Sequence, residues 1–327
     1  MAALITNNVV RVAEDVEDRI YNFRPTDTPF ISGLARRKVT NRFHEWTADT
    51  YRAPNRANAA IEAADAAFPD VAQPGQYNNR TQIIQDSMSI SGTTEAVKKY
   101  GRKSEVARQK TKKMVELKKD IEAAAIGNGT AVTGTAGVAG QMRGLFGVIA
   151  TNDSLNPDTG VSPNPQTNTA PTAGTLRAFG EALLRTVLTG VYADGGDAST
   201  LMVSPQHKLV ADTFSANVDR TNEVGGSARG KIVINTSYDI YGGPFGKTKV
   251  VPNRVMTGTS GTDAGLVNTA YIVDHDKCAL GQLRPFQSKK LAETGDAEKW
   301  QILTEVTLIV DQESTLGAVR DLTASGT

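Results

Sequence analysis

A single cysteine, Cys278, in 327 residues excludes an intramolecular disulfide and any cysteine-rich metal site. It suits synthesis in a reducing compartment. Only three histidines occur, His44, His207 and His275, and no two have the spacing of metal ligands. No metal and no cofactor is therefore expected. No stretch approaches the roughly 18 to 20 apolar residues that a membrane span requires. The opening Met1-Ala2-Ala3-Leu4-Ile5-Thr6-Asn7-Asn8 also lacks the basic and apolar runs of a signal peptide. The expectation is a soluble, unexported chain with no membrane partner. Excess charge of either sign is missing as well. With 36 Lys and Arg against 35 Asp and Glu, bulk electrostatics predict neither a nucleic-acid binder nor a membrane-surface protein.

Catalytic signatures are equally sparse. No G-x-S-x-G elbow occurs. Gly225-Gly226-Ser227-Ala228-Arg229-Gly230-Lys231 has the spacing of a phosphate loop, but Ile232 stands where a magnesium-binding Ser or Thr is needed, and Lys231 leads into a strand rather than a helix. A flexible glycine loop is the better reading. Gly246-Lys247-Thr248 fails for want of a glycine at Tyr241. Asp274-His275-Asp276 offers a base with no nucleophile and reads as an exposed turn at a strand end. Paired carboxylates such as Glu14–Asp15 lie on a short polar helix and read as a solvated face. No catalytic residue is assigned. A nucleotide-dependent enzyme using the 225–231 loop is kept as the alternative of a different class.

What the chain does have is organisation. Residues 1–40 read as an arm, with a short helix over 9–21 and an extended, point-anchored stretch at Phe23-Arg24-Pro25-Thr26-Asp27-Thr28-Pro29-Phe30. Strand candidates follow at 42–52 and 81–91. In the second, Ile84, Met88 and Ile90 alternate with Gln85, Ser87, Ser89 and Ser91. Joined through the Ala-, Pro-, Asn- and Asp-rich 53–80, they make one very long hairpin. Such a hairpin is marginal alone in water, and a long structureless tip is unusual inside a compact domain. Both difficulties vanish if it lies on another subunit.

The clearest helix spans 102–126. Val106, Met114, Leu117, Ile121, Ala124 and Ala125 share one face, and Gly127-Asn128-Gly129 ends it. Lys and Arg outnumber Asp and Glu along it. Three readings stand, in order of preference: a solvated face, contact with the acidic hairpin tip (Glu62, Asp65, Asp70) of a neighbour, and contact with DNA phosphates. Beyond a Gly-, Thr-, Asn- and Pro-rich region (130–174) comes a mixed unit. It comprises a helix over 175–188, a strand at 200–204, a helix from Pro205 to about Phe214, and strands near 231–235, 249–251 and 271–273. Residues 283–322 are mostly β, with a turn at Thr294-Gly295-Asp296 and near-alternation through Trp300, Ile302, Thr304, Val306, Leu308 and Val310.

This order of elements resembles the Hong Kong 97-like fold of tailed-bacteriophage major capsid proteins. The similarity spans nearly the whole chain through Thr28-Pro29-Phe30, the run from Phe245 through Val250-Val251-Pro252-Asn253-Arg254, Leu283-Arg284-Pro285, Leu291-Ala292-Glu293-Thr294-Gly295-Asp296 and Glu305-Val306-Thr307-Leu308. It implies an α+β fold with an N-terminal arm (1–40), an E-loop hairpin (41–90), a P domain with a spine helix (91–174, helix 102–126), an A domain (175–282) and a return β segment of the P domain (283–327). It implies pentamers and hexamers closing into an icosahedral shell around double-stranded DNA, bound without sequence specificity, in a virion assembled in the bacterial host cytoplasm. Expected partners are copies of itself, a portal and a separate scaffolding protein, with room for a decoration protein. Some relatives cross-link through an E-loop lysine, but here none lies between Lys38 and Lys98. Candidate inter-subunit contacts are Glu62, Asp65 and Asp70 on the hairpin, Lys112, Lys113, Lys118 and Lys119 on the helix, and Asp296. A cellular nanocompartment shell of the same fold is the second alternative.

Overall fold

The computed structural model describes residues 26–63, 65–66, 68, 70–71, 73–214, 240–257, 264–293 and 295–323. The helix expected over 9–21, the 225–231 loop and the strand at 231–235 lie outside the described residues.

Elements run in the order α1 (Pro29–Gly33), β1 (Ala35–Lys38), β2 (Phe43–Ala48), β3 (Gly75–Arg80), β4 (Gln82–Ser91), α2 (Gly92–Ala96), α3 (Glu105–Gly127) and α4 (Leu145–Val148). Then follow β5 (Asp153–Ser154), α5 (Glu181–Ala193), β6 (Thr200–Val203), α6 (Pro205–Ala211), β7 (Ile240–Gly243), β8 (Gly246–Pro252), α7 (Ala264–Val267), β9 (Ala270–Val273), β10 (Cys278–Lys290), β11 (Ala297–Val310) and β12 (Gly317–Val319). They form a four-stranded sheet in the order β1-β10-β11-β4, a six-stranded sheet in the order β5-β12-β9-β6-β8-β7, and the separate pair β2-β3.

Ser104 starts α3 by accepting a hydrogen bond from the Ala107 amide at 3.2 Å, an N-cap. The second half of the helix buries Leu117, Ile121, Ala124, Ala125 and Ile126 in a core shared with Ile84, Ile302, Val306 and Leu308 of the four-stranded sheet. The first half does not follow the expected apolar face. Val106 is half-buried and Met114 is 41% exposed, because here the helix meets the sheet through polar groups: Lys113 reaches Asp86 at 2.8 Å and Lys110 sits 3.0 Å from the centre of the Trp300 ring. Two glycines let α4 press against the helix end. A Cβ on Gly144 would stand 2.6 Å from the Ala124 carbonyl oxygen, and one on Gly147 only 1.9 Å from that of Gly129.

The second core packs Leu184, Val187, Leu188 and Val191 of α5 against Leu201, Val203, Val250 and Ile272 of the six-stranded sheet. The helix expected over 175–188 begins only at Glu181, since the preceding chain is used as backbone partner. The Arg177 amide donates to the Asp321 carbonyl, and the Thr323 amide donates to the Arg177 carbonyl at 2.9 Å. An internal ion pair also ties Arg320, just after β12, to β5. Arg320, almost fully buried, donates to Asp153 at 2.6 Å and to the carbonyls of Phe146 and Ile149.

Two of the short sequence matches converge on one buried carboxylate. Glu122 of α3, wholly inaccessible, accepts from the amides of Phe30 (2.9 Å) and Ile31 (2.8 Å) and from the Asn253 side chain (2.7 Å). Burial pushes its pKa up, opposed by those three donors. Thr28-Pro29-Phe30 is therefore a one-turn helix docked on the spine, where the sequence predicted extended chain. His275 also departs from expectation. It is half-buried rather than exposed, its ring 6.2 Å from that of Phe30, and burial lowers its pKa.

Candidate functional site

The strand at 81–91 forms, but its partner is not the 42–52 segment. β4 pairs antiparallel with β11, from Gln82↔Val306 to Ser91↔Ala297. β2 instead pairs with β3, from Phe43↔Arg80 to Ala48↔Gly75. The β2–β3 hairpin is therefore shorter than the sequence implied, and it is firmly rooted. Asn79, buried, donates to the carbonyls of Arg143 (2.9 Å) and Leu308 (2.8 Å) and accepts from the Arg143 amide (2.8 Å). The Trp46 indole donates to the Val310 carbonyl at 2.8 Å, and the Thr81 hydroxyl donates to Glu305 at 2.7 Å.

Beyond that root the packing stops. Among the described residues of the connecting stretch 49–74, every one is exposed. Ile61 is 82%, Val71 85% and Phe68 92% exposed, and Tyr51 is fully so. Four large apolar side chains are thus left exposed on one loop.

Glu62, Asp65 and Asp70 lie on this loop, all exposed. The structure brings none of them to the four lysines of α3 within one subunit. Three of those lysines have partners nearer home: Lys112 pairs with Glu116 at 3.8 Å, Lys113 with Asp86 and Glu116, and Lys118 donates to the Ser32 hydroxyl at 3.1 Å. Asp296 sits in the β10–β11 turn beside Gly295, whose φ is +75°. Its carbonyl accepts from the Gly92 amide at 3.1 Å, and its carboxylate occupies the space a side chain on residue 92 would need. The first turn of α3 carries another ionic cluster, in which Glu105 pairs with Arg102 and Arg108 and accepts from Gln109 at 2.7 Å. The Arg108 guanidinium holds the Glu105 carboxyl down at about 2.

The two edges of the four-stranded sheet differ. β1 is four residues long and reads Ala35-Arg36-Arg37-Lys38, all exposed, with Arg37 pairing to Asp311 at 2.5 Å. β4 is ten residues long and contains no lysine, arginine or proline.

Among the described residues no group of His, Cys, Asp and Glu could hold a metal ion, and no helix is long and apolar enough to cross a membrane. The Cys278 thiol is sealed, its pKa driven up by burial.

Comparison with known proteins gives this geometry a context. The model of the family described as SU10 major capsid protein matches residues 3–323. A curated relative, the major capsid protein of Escherichia phage Phieco32, is 26% identical over 321 residues, covering 87% of each chain. Among solved structures, the capsid asymmetric unit of cyanophage A-1(L) is similar over 97% of this chain and 98% of its own, with a TM-score of 0.63 at 15% identity. The holo-SrpI encapsulin complex of Synechococcus elongatus is similar over 96% of this chain and 94% of its own, with a TM-score of 0.52 at 10% identity.

Proposed function

The chain belongs to the SU10 major capsid protein family, and from that premise we propose how its parts divide the work of building a shell. It is a phage major capsid protein with the Hong Kong 97-like fold, and it self-assembles. In the proposed division, residues 1–40 are the arm, 41–90 the E-loop, 91–174 with 283–327 the P domain, and 175–282 the A domain. The subunits form hexamers and pentamers that close into an icosahedral shell around double-stranded DNA. That shell is assembled in the host cytoplasm with a portal and a separate scaffolding protein. A near-neutral chain suits packaging without sequence specificity, since nothing in its bulk charge would grip particular DNA.

The observation that carries this reading is the bare loop of the hairpin. A segment that exposes Tyr51, Ile61, Phe68 and Val71 while its root is locked into the body is made to bear on another subunit. Each such contact is modest, and closing many of them at once makes the assembly stable. Deleting residues 55–73, which spares β3, leaves a folded subunit, with unchanged far-UV circular dichroism, that yields no particles by electron microscopy. Normal particles from the 55–73 deletion would overturn the assignment.

The likeness to an encapsulin favours a second reading, a cellular compartment shell. Purified particles tell the two apart: double-stranded DNA and tail proteins accompany a phage head, a cargo enzyme accompanies a compartment.

A further inference from the structure

The six-stranded sheet has a parallel pair inside it, β6 with β8, running from Thr200↔Lys249 to Val203↔Pro252. Parallel strands are normally covered on both faces. The register sorts the side chains here. Leu201, Val203, Val250 and Ile272 take one face and pack with α5. Thr200, Met202, Lys249, Val251, Tyr271 and Val273 share the other.

On that second face the cover stops partway. Met202, Tyr271 and Val273 join the core that also holds Phe30 of α1 and Leu117 of α3. One strand further out Lys249 is exposed and Val251 only half-buried. Ile240 of β7, which pairs with Lys249 in register, is 56% exposed. At the margin of the cover lies a cavity of about 250 Å³, with Pro29, Phe30 and Gly33 on one side and Thr200, Lys249 and His275 on the other. Lys247, two residues before Lys249 and so on the same face, is exposed as well. Across β6, β7 and β9 that face presents Thr200, Met202, Ile240, Gly242, Tyr271 and Val273, none of them a carboxylate. Its exposed part is therefore apolar and basic.

The N-terminal side of the chain arrives at this spot. Asp27 pairs with Arg254, just past β8, at 3.4 Å, and Pro29 and Phe30 wall the cavity. The sequence upstream is acidic and amphipathic. Val9, Val12, Ala13, Val16, Ile20 and Phe23 recur at the spacing of one helical face, and Glu14, Asp15, Glu17 and Asp18 fall outside it. These four carboxylates outnumber Arg11 and Arg19. Lengths agree too. A helix over 9–21 would be about 20 Å long, against a β9-β6-β8-β7 strip about 15 Å wide. Residues 22–26 reach up to about 17 Å when extended.

We propose that residues 9–21 lie as a helix across the exposed face of the six-stranded sheet in the same copy. Val12, Val16 and Ile20 meet Ile240 and Val251, and the flanking carboxylates meet Lys247 and Lys249. β6 and β8 then have a layer on each face. A link as short as 22–26 gives a copy's own segment an effective concentration on the order of millimolar, which favours it over a neighbour's. The contact lies inside one subunit, so it goes beyond the division of work in the shell and stands apart from the hairpin.

Full-length chains carrying Ile240→Cys together with Val12→Cys, Val16→Cys or Ile20→Cys, taken in turn, test it. The native Cys278 is buried and does not compete. Oxidised as free subunits, at least one pair closes a loop within the monomer, seen as faster migration on a non-reducing gel. Linked dimers would hand the face to another copy's segment, and no link from any pair would leave it without this occupant; either overturns the proposal. A second measurement needs no added thiol. Acetylation of Lys249, followed by mass spectrometry, runs at least about fivefold faster once Val12, Val16 and Ile20 are all changed to Asp in the full chain, while Lys112 keeps its rate. Equal rates at Lys249 overturn the proposal, and so does an acceleration that Lys112 shares.

Discussion

At the scale of single residues, the groups that hold this fold are polar and buried, and each works through partners distant in sequence. Glu122, Asn79 and Arg320 were invisible to sequence reading for that reason. A glutamate in a helix face and an asparagine in a strand look ordinary until elements some 60 to 180 residues away arrive. Only Thr28-Pro29-Phe30 and Pro252-Asn253-Arg254 hinted at the Glu122 node, and they did so as short matches without a mechanism. Glu105 gives a prediction with a definite pH window. Its folded pKa, about 2, lies below the ordinary value of 4.5, so its contribution to stability is present above about pH 4.5 and is lost as pH falls toward 2. With Arg102 and Arg108 partly exposed, that contribution is on the order of 1 kcal/mol. Glu105→Gln should cost about that much at pH 7 in a urea titration and flatten the stability loss between pH 4.5 and 2.5. An unchanged pH slope would show that the cluster is idle.

At the scale of elements, strong periodicity was legible and pairing was not. α3, α6, β6, β9 and β11 lie close to where apolar spacing puts them, since one-sided burial writes itself into the sequence. β4 was recognisable as a strand from its alternation. Its partner was not, because alternation says which face is buried and nothing about which neighbour lies alongside. α5 was placed about six residues early for a related reason. The segment through Arg177 has helical spacing, yet it is claimed by backbone pairing with Asp321 and Thr323. The loop around α4 carries a sharp prediction of its own. Gly147→Ala drives a methyl into the Gly129 carbonyl, which rigid backbone on both sides cannot accommodate. A loss of about 3 kcal/mol is expected in equilibrium unfolding. A loss below about 1 kcal/mol would mean that α4 can shift away from the helix end.

At the scale of the whole molecule, the described residues of one subunit expose a loop that is both acidic and apolar, with Tyr51, Ile61, Phe68 and Val71 open to solvent. The sequence exposed this much: the Ala-rich stretch with Glu62, Asp65 and Asp70, and the lysines of α3, stand out by composition. It did not show that Lys112, Lys113 and Lys118 are already engaged inside the subunit. Changing Glu62, Asp65 and Asp70 together to lysine should lower particle yield at least about tenfold at low salt, because like charges then meet across the contact. Added salt should recover part of that yield. Full yield at every ionic strength would show that charge plays no part in the docking.

The position of Cys278 has a consequence for how particles age. A thiol held under the sheet, with its ionised form strongly disfavoured, presents no thiolate to oxygen or peroxide. A shell built from many copies thus carries many sulfur atoms and no means of scrambling them. In oxidising water its tiles acquire no stray covalent links through this residue.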